Sequence, residues 1–419
     1  MRQNVILSID QGTTGTRAIL YDSSARAIAS HYQEFRQSYP KPGWVEHDSL
    51  EIWATTKQVI KKSLEKGRVA SPKIRAIGIT NQRETTVLWD RRTGQPVHPA
   101  IVWQDRRTTE LCEVLKRHGK EKYFRERTGL VLDPYFSGTK VSWLLKTYPK
   151  LSRLARQGRM AFGTIDSWLL WNLTGGRSHA SDFTNASRTL VFNIRHKKWD
   201  VDLLKILKIP QSILPEVYPS GHHFGKTHRM DSLISGIPIF SMMGDQQAAL
   251  YGQGCYSAGQ TKNTYGTGCF VVVNTGKKRT LTRGLLTTLA CDEKGQPVYA
   301  LEGSIFIAGA AMQWLRDEMK FFKKASETDR LVRTTKDHGG IVFVPAFVGL
   351  GAPYWNPRAR GMMLGITRGT GRGQIIRSAL ESIAHQTVDV IDVMCEEAGS
   401  RIRELRVDGG ATQNRFLMQ

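Results

Sequence analysis

Long apolar segments are missing from this chain of 419 residues. None of its hydrophobic runs approaches the ~20 residues that a membrane-spanning helix requires. The N-terminus enters a strand-like run directly, without the basic end, long apolar core and cleavage site of a secretory signal. These absences predict a cytoplasmic protein with no membrane insertion. The hydrophobic fraction of 40% and the length suit two or three domains with proper cores.

Cysteine is scarce, and its few copies are scattered. No C-x-x-C pair occurs, and no histidine stands near a cysteine at metal-ligand spacing, so the pattern excludes a disulfide framework and a zinc site. We expect reduced thiols that pack as small hydrophobic side chains. The five residues are Cys112, Cys255, Cys269, Cys291 and Cys395.

Acidic residues are outnumbered by basic ones, 37 against 60, which gives a formal net charge of +23. Such an excess can indicate nucleic-acid binding. However, the basic residues are interspersed, the densest cluster ("GKKR" at 276–279) is too short for a basic arm, and aromatic residues do not interleave with basic runs. We therefore expect no nucleic-acid partner, and a basic surface that favours anionic substrates.

Short strand-like runs alternate with amphipathic helical stretches in the first half, which predicts an α/β layered fold. The runs "VILSI", "AILYD" and "IRAIGIT" are typical of strands. A helix is predicted over "DSLEIWATTKQVIKKSLEK", with Asp48 as its cap. Its predicted apolar face consists of Leu50, Trp53, Val59, Ile60 and Leu64. Further helices are predicted over 106–118, 137–146 and 164–173.

A second cycle of elements begins near residue 260. There "TKNTYGTGCFVVVNTG" is similar to the opening hairpin, and strands "LLTTLACD" and "VYALEGS" follow it. Helices are predicted over 305–320 and 373–398, with a strand "GIVFVPAF" between them. The shared order indicates an internal duplication with two similar lobes facing a cleft. Because the chain ends at Gln419, a few residues into its last predicted helix, we expect the second lobe to be shortened.

The turn "IDQGTTGTR" at 9–17 is rich in glycine and threonine. Glycine lets the backbone approach a ligand and aim several N–H groups at one point, and Arg17 adds a cation suited to phosphate oxygens. Asp10 would repel a bare phosphate, so its presence implies an intervening metal, for which Mg²⁺ is suited. No GxGxxG occurs, and a strand follows the turn. The pattern predicts a phosphate and Mg²⁺ hairpin rather than a dinucleotide turn.

A plain hairpin turn is the alternative, because glycine and threonine are common in such turns. Two further glycine turns, "YGTG" at 265–268 and "DGGATQN" at 408–414, favour a nucleotide clamp instead. Polar residues also follow apolar runs at Arg83 and Glu84 ("TNQRET") and at Asp245 ("MMGDQQAALYG"). Taken singly, these residues fit a surface salt bridge and a helix N-cap.

Together these motifs resemble the FGGY family of carbohydrate kinases, within the superfamily of actin, heat-shock-protein and hexokinase type ATPases. The resemblance implies two actin-like (ribonuclease H-like) lobes around a cleft for ATP and substrate. It implies an N-terminal lobe over 1–253 with the substrate and phosphate sites, and a C-terminal lobe over 254–419 with the nucleotide site. The stretches that carry it are "DQGTTGTR", "PKPGWVEHD", "GITNQRETT", "AIVWQDRRT", "DPYFSGTKVSWLL", "TNASRTLVFNI", "GDQQAALYGQ", "KNTYGTGCF", "AGAAMQWLRDEM", "PAFVGLGAPYW", "ARGMMLGITRG" and "RVDGGATQNRFLMQ".

The resemblance implies ATP-dependent phosphorylation of glycerol to glycerol 3-phosphate, with Mg²⁺ as cofactor and a homodimer or homotetramer as the assembly. The combination of "NQRET" and "DPYFSGTK" favours glycerol over the pentuloses and related polyols of other family members. A different alternative is a catalytically impaired fragment that only binds ATP.

Residue roles also follow from the resemblance. Asp245 would be the general base that takes the proton from a terminal hydroxyl, and Asp10 with Asp245 would position Mg²⁺ largely through water. The glycerol-binding residues would be Arg83, Glu84, Trp103, Tyr135, Asp245, Gln246 and Phe270. The ATP-binding residues would be Thr13, Thr14, Gly15, Arg17, Thr267, Gly309, Gln313, Gly410 and Asn414.

Two departures from the family pattern matter. Gly15 stands where members often carry serine, which removes one hydroxyl donor. The stretch 222–238 lacks the loop that binds fructose 1,6-bisphosphate in some bacterial members, and it shows Asp231 in place of a regulatory histidine. We therefore expect neither mode of regulation here.

Overall fold

The structure is a computed structural model that describes residues 4–228, 234–398 and 402–419. Asp231, the residue in place of a regulatory histidine, lies outside these ranges. The chain divides into two compact units. The first unit is Met1–Ala248 with Thr288–Pro297, and the second unit is Ala249–Thr287 with Val298–Gln419. A functional boundary between 253 and 254 stays a prediction.

Strands and helices alternate through both units. The strands are β1 Val5–Gln11, β2 Gly15–Tyr21, β3 Ala27–Glu34, β4 Glu46–His47, β5 Ile74–Asn81, β6 Val87–Asp90, β7 Ala100–Ile101, β8 Met160–Gly163, β9 Ala180–Asp182, β10 Phe192–Asn193, β11 Lys198–Trp199, β12 Glu216–Tyr218, β13 Gly225–Lys226, β14 Pro238–Gly244, β15 Thr261–Tyr265, β16 Cys269–Gly276, β17 Leu286–Cys291, β18 Pro297–Ile305, β19 Val342–Val344, β20 Met362–Leu364 and β21 Leu405–Asp408. The helices are α1 Ser49–Gly67, α2 Thr109–Arg117, α3 Glu121–Thr128, α4 Ser137–Thr147, α5 Pro149–Arg156, α6 Ile165–Leu173, α7 Phe183–Ala186, α8 Val201–Leu207, α9 Asp245–Gly252, α10 Gly309–Asp317, α11 Ser326–Arg333, α12 Arg372–Ala398 and α13 Arg415–Met418.

The main sheet of the first unit, as far as the structure describes it, has the strand order β13-β14-β5-β1-β2-β3. Strand β1 is antiparallel to β2 and parallel to β5, and β14 is parallel to β5. The last residues of these parallel strands are in register, Gln11 opposite Asn81 and Asn81 opposite Gly244. Because parallel strands end at the same edge of a sheet, the polar segments that follow them meet there.

Helix α1 confirms the prediction of a capped amphipathic helix. The Asp48 carboxylate accepts the Leu50 N–H at 2.8 Å, as an N-cap should. Ile52, Val59 and Ile60 are fully buried in the core of the first unit. The predicted face was wrong at Leu50, which is 42% exposed, because it lies two residues before the buried Ile52, about 200° around the helix axis.

The five-stranded sheet has the order β17-β18-β16-β15-β21. As in the first unit, an antiparallel hairpin (β15 and β16) has a parallel strand, β21, on the outer side of its first strand. The fold is therefore α/β with two lobes, as predicted. The helix predicted over 305–320 is shorter, since Ile305 pairs with Cys269 as part of a strand and the helix begins at Gly309.

The remaining predictions of elements are confirmed with small shifts of their ends. The helices predicted over 106–118, 137–146, 164–173 and 373–398 are present as α2, α4, α6 and α12. The strand predicted over "GIVFVPAF" is limited to Val342–Val344. All five cysteines are free thiols; Cys112, Cys255, Cys269 and Cys291 are buried as expected, whereas Cys395 is only partly buried. In the ranges that the structure describes, no helix is both long and apolar enough to span a bilayer.

Candidate active site

The glycine and threonine turn closes the β1–β2 hairpin and is held from several sides. Gly12 donates its N–H to the Gly15 carbonyl at 2.9 Å. The side-chain amides of Gln37 and Gln82 donate to the carbonyls of Thr13 at 3.0 Å and Gly12 at 3.2 Å. These bonds hold the turn through its own backbone and through two neighbouring segments.

Gly15 is required by the packing of this hairpin. A Cβ atom at Gly15 would lie 2.6 Å from the Gln33 carbonyl oxygen of the neighbouring strand β3. Because that oxygen belongs to the backbone, the clash cannot be relieved by a rotamer change. The departure from serine therefore has a local steric reason in this chain.

A hydrogen bond between Trp103 and Thr13 connects the predicted glycerol-binding residues with the predicted ATP-binding residues. The indole Nε1 of Trp103, a predicted glycerol contact, donates to the hydroxyl of Thr13 at 2.9 Å. Since the Thr13 oxygen accepts this bond, its own hydroxyl proton remains able to donate to a phosphate oxygen. The indole ring of Trp103 also meets the ring of Tyr135 edge-on, with centroids 5.6 Å apart.

Asp10 and Asp245 lie close enough for their charges to interact. The pKa of Asp10 is raised to about 6, first by burial and then by the Asp245 carboxylate, while the Arg17 guanidinium opposes the rise. Arg17 stands directly opposite Asp10 on strand β2. Two carboxylates that repel each other in a half-buried position would be relieved by a bound cation.

The carboxylates of Asp10 and Asp245 suit Mg²⁺ better than they suit a metal ion that takes all of its ligands from the protein. Within the described ranges, no group of three or more His, Cys, Asp or Glu side chains is placed to hold a metal. Mg²⁺ commonly binds through one or two carboxylates and takes its other ligands from water and substrate phosphates. Asp10 and Asp245 supply such a pair.

Arg83 is a buried cation at the centre of the predicted substrate site. Its side chain is only 2% exposed, and its Nε lies 3.1 Å from Oδ1 of Asp245. Its Nη1 donates to the Gln247 side chain at 3.2 Å, and its Nη2 donates to the Tyr135 hydroxyl at 3.5 Å. Glu84 Oε1 lies 3.9 Å from the Nε. The burial of Arg83 and Glu84 excludes an exposed salt bridge.

Glu84 occupies an unusual backbone conformation. Its φ of 61° lies in the left-handed region, which costs a non-glycine residue roughly 1 kcal/mol or more. Its Oε1 accepts Nε of the buried Arg188 at 2.6 Å, and its carbonyl accepts the Ser137 hydroxyl at 2.9 Å. These contacts hold the strained residue with its carboxylate beside Arg83.

Asp245 is the first residue of α9, at the predicted start of an apolar helix, and its Oδ1 accepts the N–H of the next residue, Gln246, at 2.7 Å. The same carboxylate also contacts Arg83, and its side chain remains 34% exposed. Gln246 is buried. An accessible acid beside a buried cation can exchange a proton with a ligand hydroxyl.

Sequence reasoning missed two residues that shape this cluster. Gln247 accepts from Arg83 and donates to the Leu289 carbonyl at 3.1 Å. Arg188 holds Glu84, although "TNASRTLVFNI" offered no sign of that contact. Both side chains act over long sequence separations, which no local pattern reveals.

In the second unit, the turn between β15 and β16 lies against the start of α10. The Thr267 carbonyl accepts the Ala308 N–H at 2.9 Å, and the Gly266 carbonyl accepts the Gly309 N–H at 3.0 Å. A Cβ atom at Gly309 would lie 2.5 Å from the Gly266 oxygen, so only glycine allows this approach. The structure thus places Thr267 and Gly309 side by side, with Gln313 one helical turn further on α10.

The third glycine turn lies beside the second. Gly409 has a φ of 97°, and a Cβ atom there would lie 2.3 Å from the Tyr265 carbonyl oxygen. Gly410 begins the short 3₁₀ turn that follows. Asn414 caps α13 by accepting the Leu417 N–H at 2.9 Å, and its amide donates to Thr328 at 3.0 Å. Phe270, on β16, is 9% exposed.

Known proteins resemble this chain over its whole length. Profiles of the FGGY family of carbohydrate kinases match residues 5–252 (N-terminal domain) and 261–419 (C-terminal domain). Glycerol kinase 2 of Thermotoga maritima is 54% identical over 415 residues, which cover 99% of this chain and 84% of the relative. The glycerol kinase of Petrotoga mobilis is 54% identical over 418 residues, covering 100% of this chain and 84% of the relative.

Solved structures agree with these matches. The Plasmodium falciparum glycerol kinase with ADP has a TM-score of 0.88 at 38% identity, covering 100% of this chain and 84% of that one. A xylulose kinase from Lactobacillus acidophilus shares the fold, with a TM-score of 0.84 at 21% identity over 99% of this chain and 82% of that one. By sequence profile, by identity and by fold, this chain belongs to the FGGY family of carbohydrate kinases.

Proposed function

We propose that this chain transfers the γ-phosphoryl group of ATP to a terminal hydroxyl of glycerol and forms sn-glycerol 3-phosphate. The observation that carries the proposal is the cluster in the first unit in which the buried Arg83 contacts the buried Glu84 and Tyr135 and the partly exposed Asp245. The names of the bacterial relatives, which are glycerol kinases at 54% identity, support the same substrate.

The residue types of the cluster suit a small triol. Glycerol offers little apolar area, so its affinity must come from hydrogen bonds. Arg83 supplies charged donors, Glu84 supplies a charged acceptor, and Tyr135 can do both. Hydrogen bonds to charged groups contribute about 1.5–3 kcal/mol each. A site that pairs each hydroxyl also rejects analogues that lack one, because its buried polar groups would then stay unpaired.

Asp245 is proposed as the general base. It would take the proton of the terminal hydroxyl while that oxygen bonds to the γ-phosphorus, the bond from the γ-phosphorus to the bridging oxygen breaks, and ADP leaves. Arg83 would hold the carboxylate in place through its Nε. Phosphoryl transfer depends mainly on such positioning and on neutralisation of charge.

The remaining roles are proposed for each unit separately. Thr13, Thr14, Gly15 and Arg17 would bind the ATP phosphates at the hairpin turn. In the second unit, the turn at 266–268, the start of α10 and the turn at 409–414 would bind the nucleotide, since glycine turns let the backbone approach a ligand closely. Asp10 and Asp245 would hold Mg²⁺, largely through water, and the bound ion would neutralise charge on the phosphates.

The test is a coupled kinase assay with purified protein, Mg-ATP and glycerol. Asp245→Asn should lower kcat by about 10²–10⁴-fold, the usual contribution of a general base, while ATP affinity measured by titration stays close to wild type. Asp202→Asn, at an exposed acid on α8, is the matched control and should retain wild-type kcat.

Near-normal turnover of Asp245→Asn would place the base elsewhere. A pentulose phosphorylated with a higher kcat/KM than glycerol would overturn the proposed substrate. Binding of ATP without any phosphorylated product from wild-type protein would support the impaired fragment instead.

A further inference from the structure

Behind the Asp245 cluster, a buried hydroxyl connects helix α7 to the end of strand β14. The Thr184 Oγ1 accepts the N–H of Gly244 at 2.9 Å, and the same hydroxyl donates to Oδ1 of Asp182 at 3.0 Å. Both side chains are fully buried. Gly244 directly precedes Asp245, so this hydroxyl holds the peptide that leads into the proposed base.

The direction of these hydrogen bonds is fixed by what surrounds Asp182. Its carboxylate also accepts the N–H of Asn185 at 3.0 Å, the side-chain amide of Asn185 at 2.9 Å, the N–H of Thr184 at 3.0 Å and the hydroxyl of Ser220 at 2.6 Å. A carboxylate with so many donors acts only as an acceptor. The Thr184 hydroxyl therefore donates its one proton to Asp182. Its lone pairs accept the Gly244 N–H.

Gly244 has little freedom to move. A Cβ atom there would lie 2.7 Å from the Cγ and Cδ of Arg83, so the backbone of Gly244 lies against the stem of the arginine. The Nε of that arginine contacts Asp245. A second contact ties the same region together, because Asn185 exchanges side-chain hydrogen bonds of 3.0 and 3.1 Å with Asn81, the residue opposite Gly244 on β5.

We propose that Thr184 and Asp182 are positioning residues for phosphoryl transfer, which hold the Gly244 peptide so that the Asp245 carboxylate stays aligned with the acceptor hydroxyl. Neither residue touches the substrate in this role. The inference rests on the proposed function, with Asp245 as general base. It predicts an effect on the chemical step, because small displacements of a reacting group cost rate far more than they cost binding.

The experiment compares Thr184→Val, which keeps the shape and removes the hydroxyl, with Thr184→Ser, which keeps the hydroxyl. For Thr184→Val we expect kcat with glycerol to fall about tenfold to a hundredfold, with the KM for glycerol changed less than about threefold. Thr184→Ser should restore kcat to within about threefold of wild type. The matched control is Thr189→Val, which removes a buried hydroxyl from the same segment: this hydroxyl donates to the Ala186 carbonyl, whereas the Gly244 N–H donates to Thr184.

A merely structural role would lower the melting temperature and active fraction of Thr184→Val and Thr189→Val alike, without a selective loss of kcat. Asp182→Asn is measured in parallel. Its amide nitrogen would face the N–H and O–H groups that now donate to the carboxylate, so at least one of these hydrogen bonds would be lost. Asp182→Asn should also reduce kcat with little change in the KM for glycerol. This variant therefore tests the proposal even if Thr184→Val folds poorly.

Wild-type kcat in Thr184→Val, or a loss in Thr184→Ser equal to that in Thr184→Val, would overturn the proposal. Failure of the proposed function would look different. In that case wild-type protein would not phosphorylate glycerol, or Asp245→Asn would remain active, whatever the Thr184 variants do.

Discussion

At the scale of single residues, burial makes Arg83 and Glu84 part of an interior cluster rather than a surface salt bridge. A guanidinium without water must be compensated by charge and hydrogen bonds, or its desolvation would cost several kcal/mol. Asp245, Glu84, Tyr135 and Gln247 provide that compensation. Arg83 therefore holds the cluster together, and in the proposed function it also contacts the substrate.

Arg83→Ala should raise the KM for glycerol by about tenfold or more, because charged donors to the substrate hydroxyls are lost. Steady-state kinetics at varied glycerol concentration measures this effect. Arg117→Ala is the control, since Arg117 is 68% exposed and pairs with Glu110 on the surface of α2. An unchanged KM for Arg83→Ala would remove this residue from the substrate site.

At the scale of elements, the β1–β2 turn depends on a chain of buried polar groups beneath it. Gln82 donates to Gln11 at 3.0 Å and approaches His47 Nδ1 at 3.5 Å. The other ring nitrogen of His47 lies 2.5 Å from Oε1 of Gln37, the residue whose amide holds Thr13. These contacts require a neutral imidazole that accepts at Nδ1 and donates at Nε2.

The stability of this region should depend on pH through His47. Burial lowers the pKa of His47 from 6.5 to about 3, so between these values the unfolded chain binds a proton that the folded chain does not. Folding stability is therefore lost as the pH falls below 6.5, by about 2 kcal/mol at pH 5. Urea unfolding at several pH values measures this loss.

His47→Gln cannot titrate, so the difference in unfolding free energy between wild type and this variant should shrink as the pH falls from about 7 to 5. His196→Gln, at an exposed histidine, should instead follow the wild-type curve at a constant offset. Parallel curves for His47→Gln and wild type would show that His47 does not carry the acid sensitivity.

At the scale of the whole molecule, the charge of +23 is the most unusual property. ATP is strongly anionic, and a basic protein raises the local concentration of such a ligand through a field that salt screens. The charge is spread along the sequence rather than gathered in one segment, so it acts as a general field.

The KM for Mg-ATP should therefore rise a few-fold between about 0.05 and 0.3 M potassium chloride, while the KM for glycerol, which is neutral, should change little. Kinetics at constant free Mg²⁺ checks both values. Equal changes in the two constants would show that salt acts on the enzyme as a whole and not on the approach of the nucleotide.

The sequence by itself determined the elements and the α/β class, because apolar periodicity, caps and glycine turns are local properties of the chain, and the resemblance of its motifs indicated the family. The residue pattern pointed to Asp10, but for Arg83, Glu84 and Asp245 it fitted a surface salt bridge and an N-cap, and their site roles came from the resemblance to the family. Such local patterns can be recognised without knowing which residues distant in sequence are in contact.

Only the tertiary structure decided which side chains meet. The burial of Arg83, the clamp of Arg188 on Glu84 and the bond from Gly244 to Thr184 join residues about 60 to more than 100 positions apart. Such contacts depend on strand order and register, so a pattern along the chain cannot encode them in any one place. The register of β1, β5 and β14 brings the separate polar segments to one edge, and that arrangement turns single residues into a site.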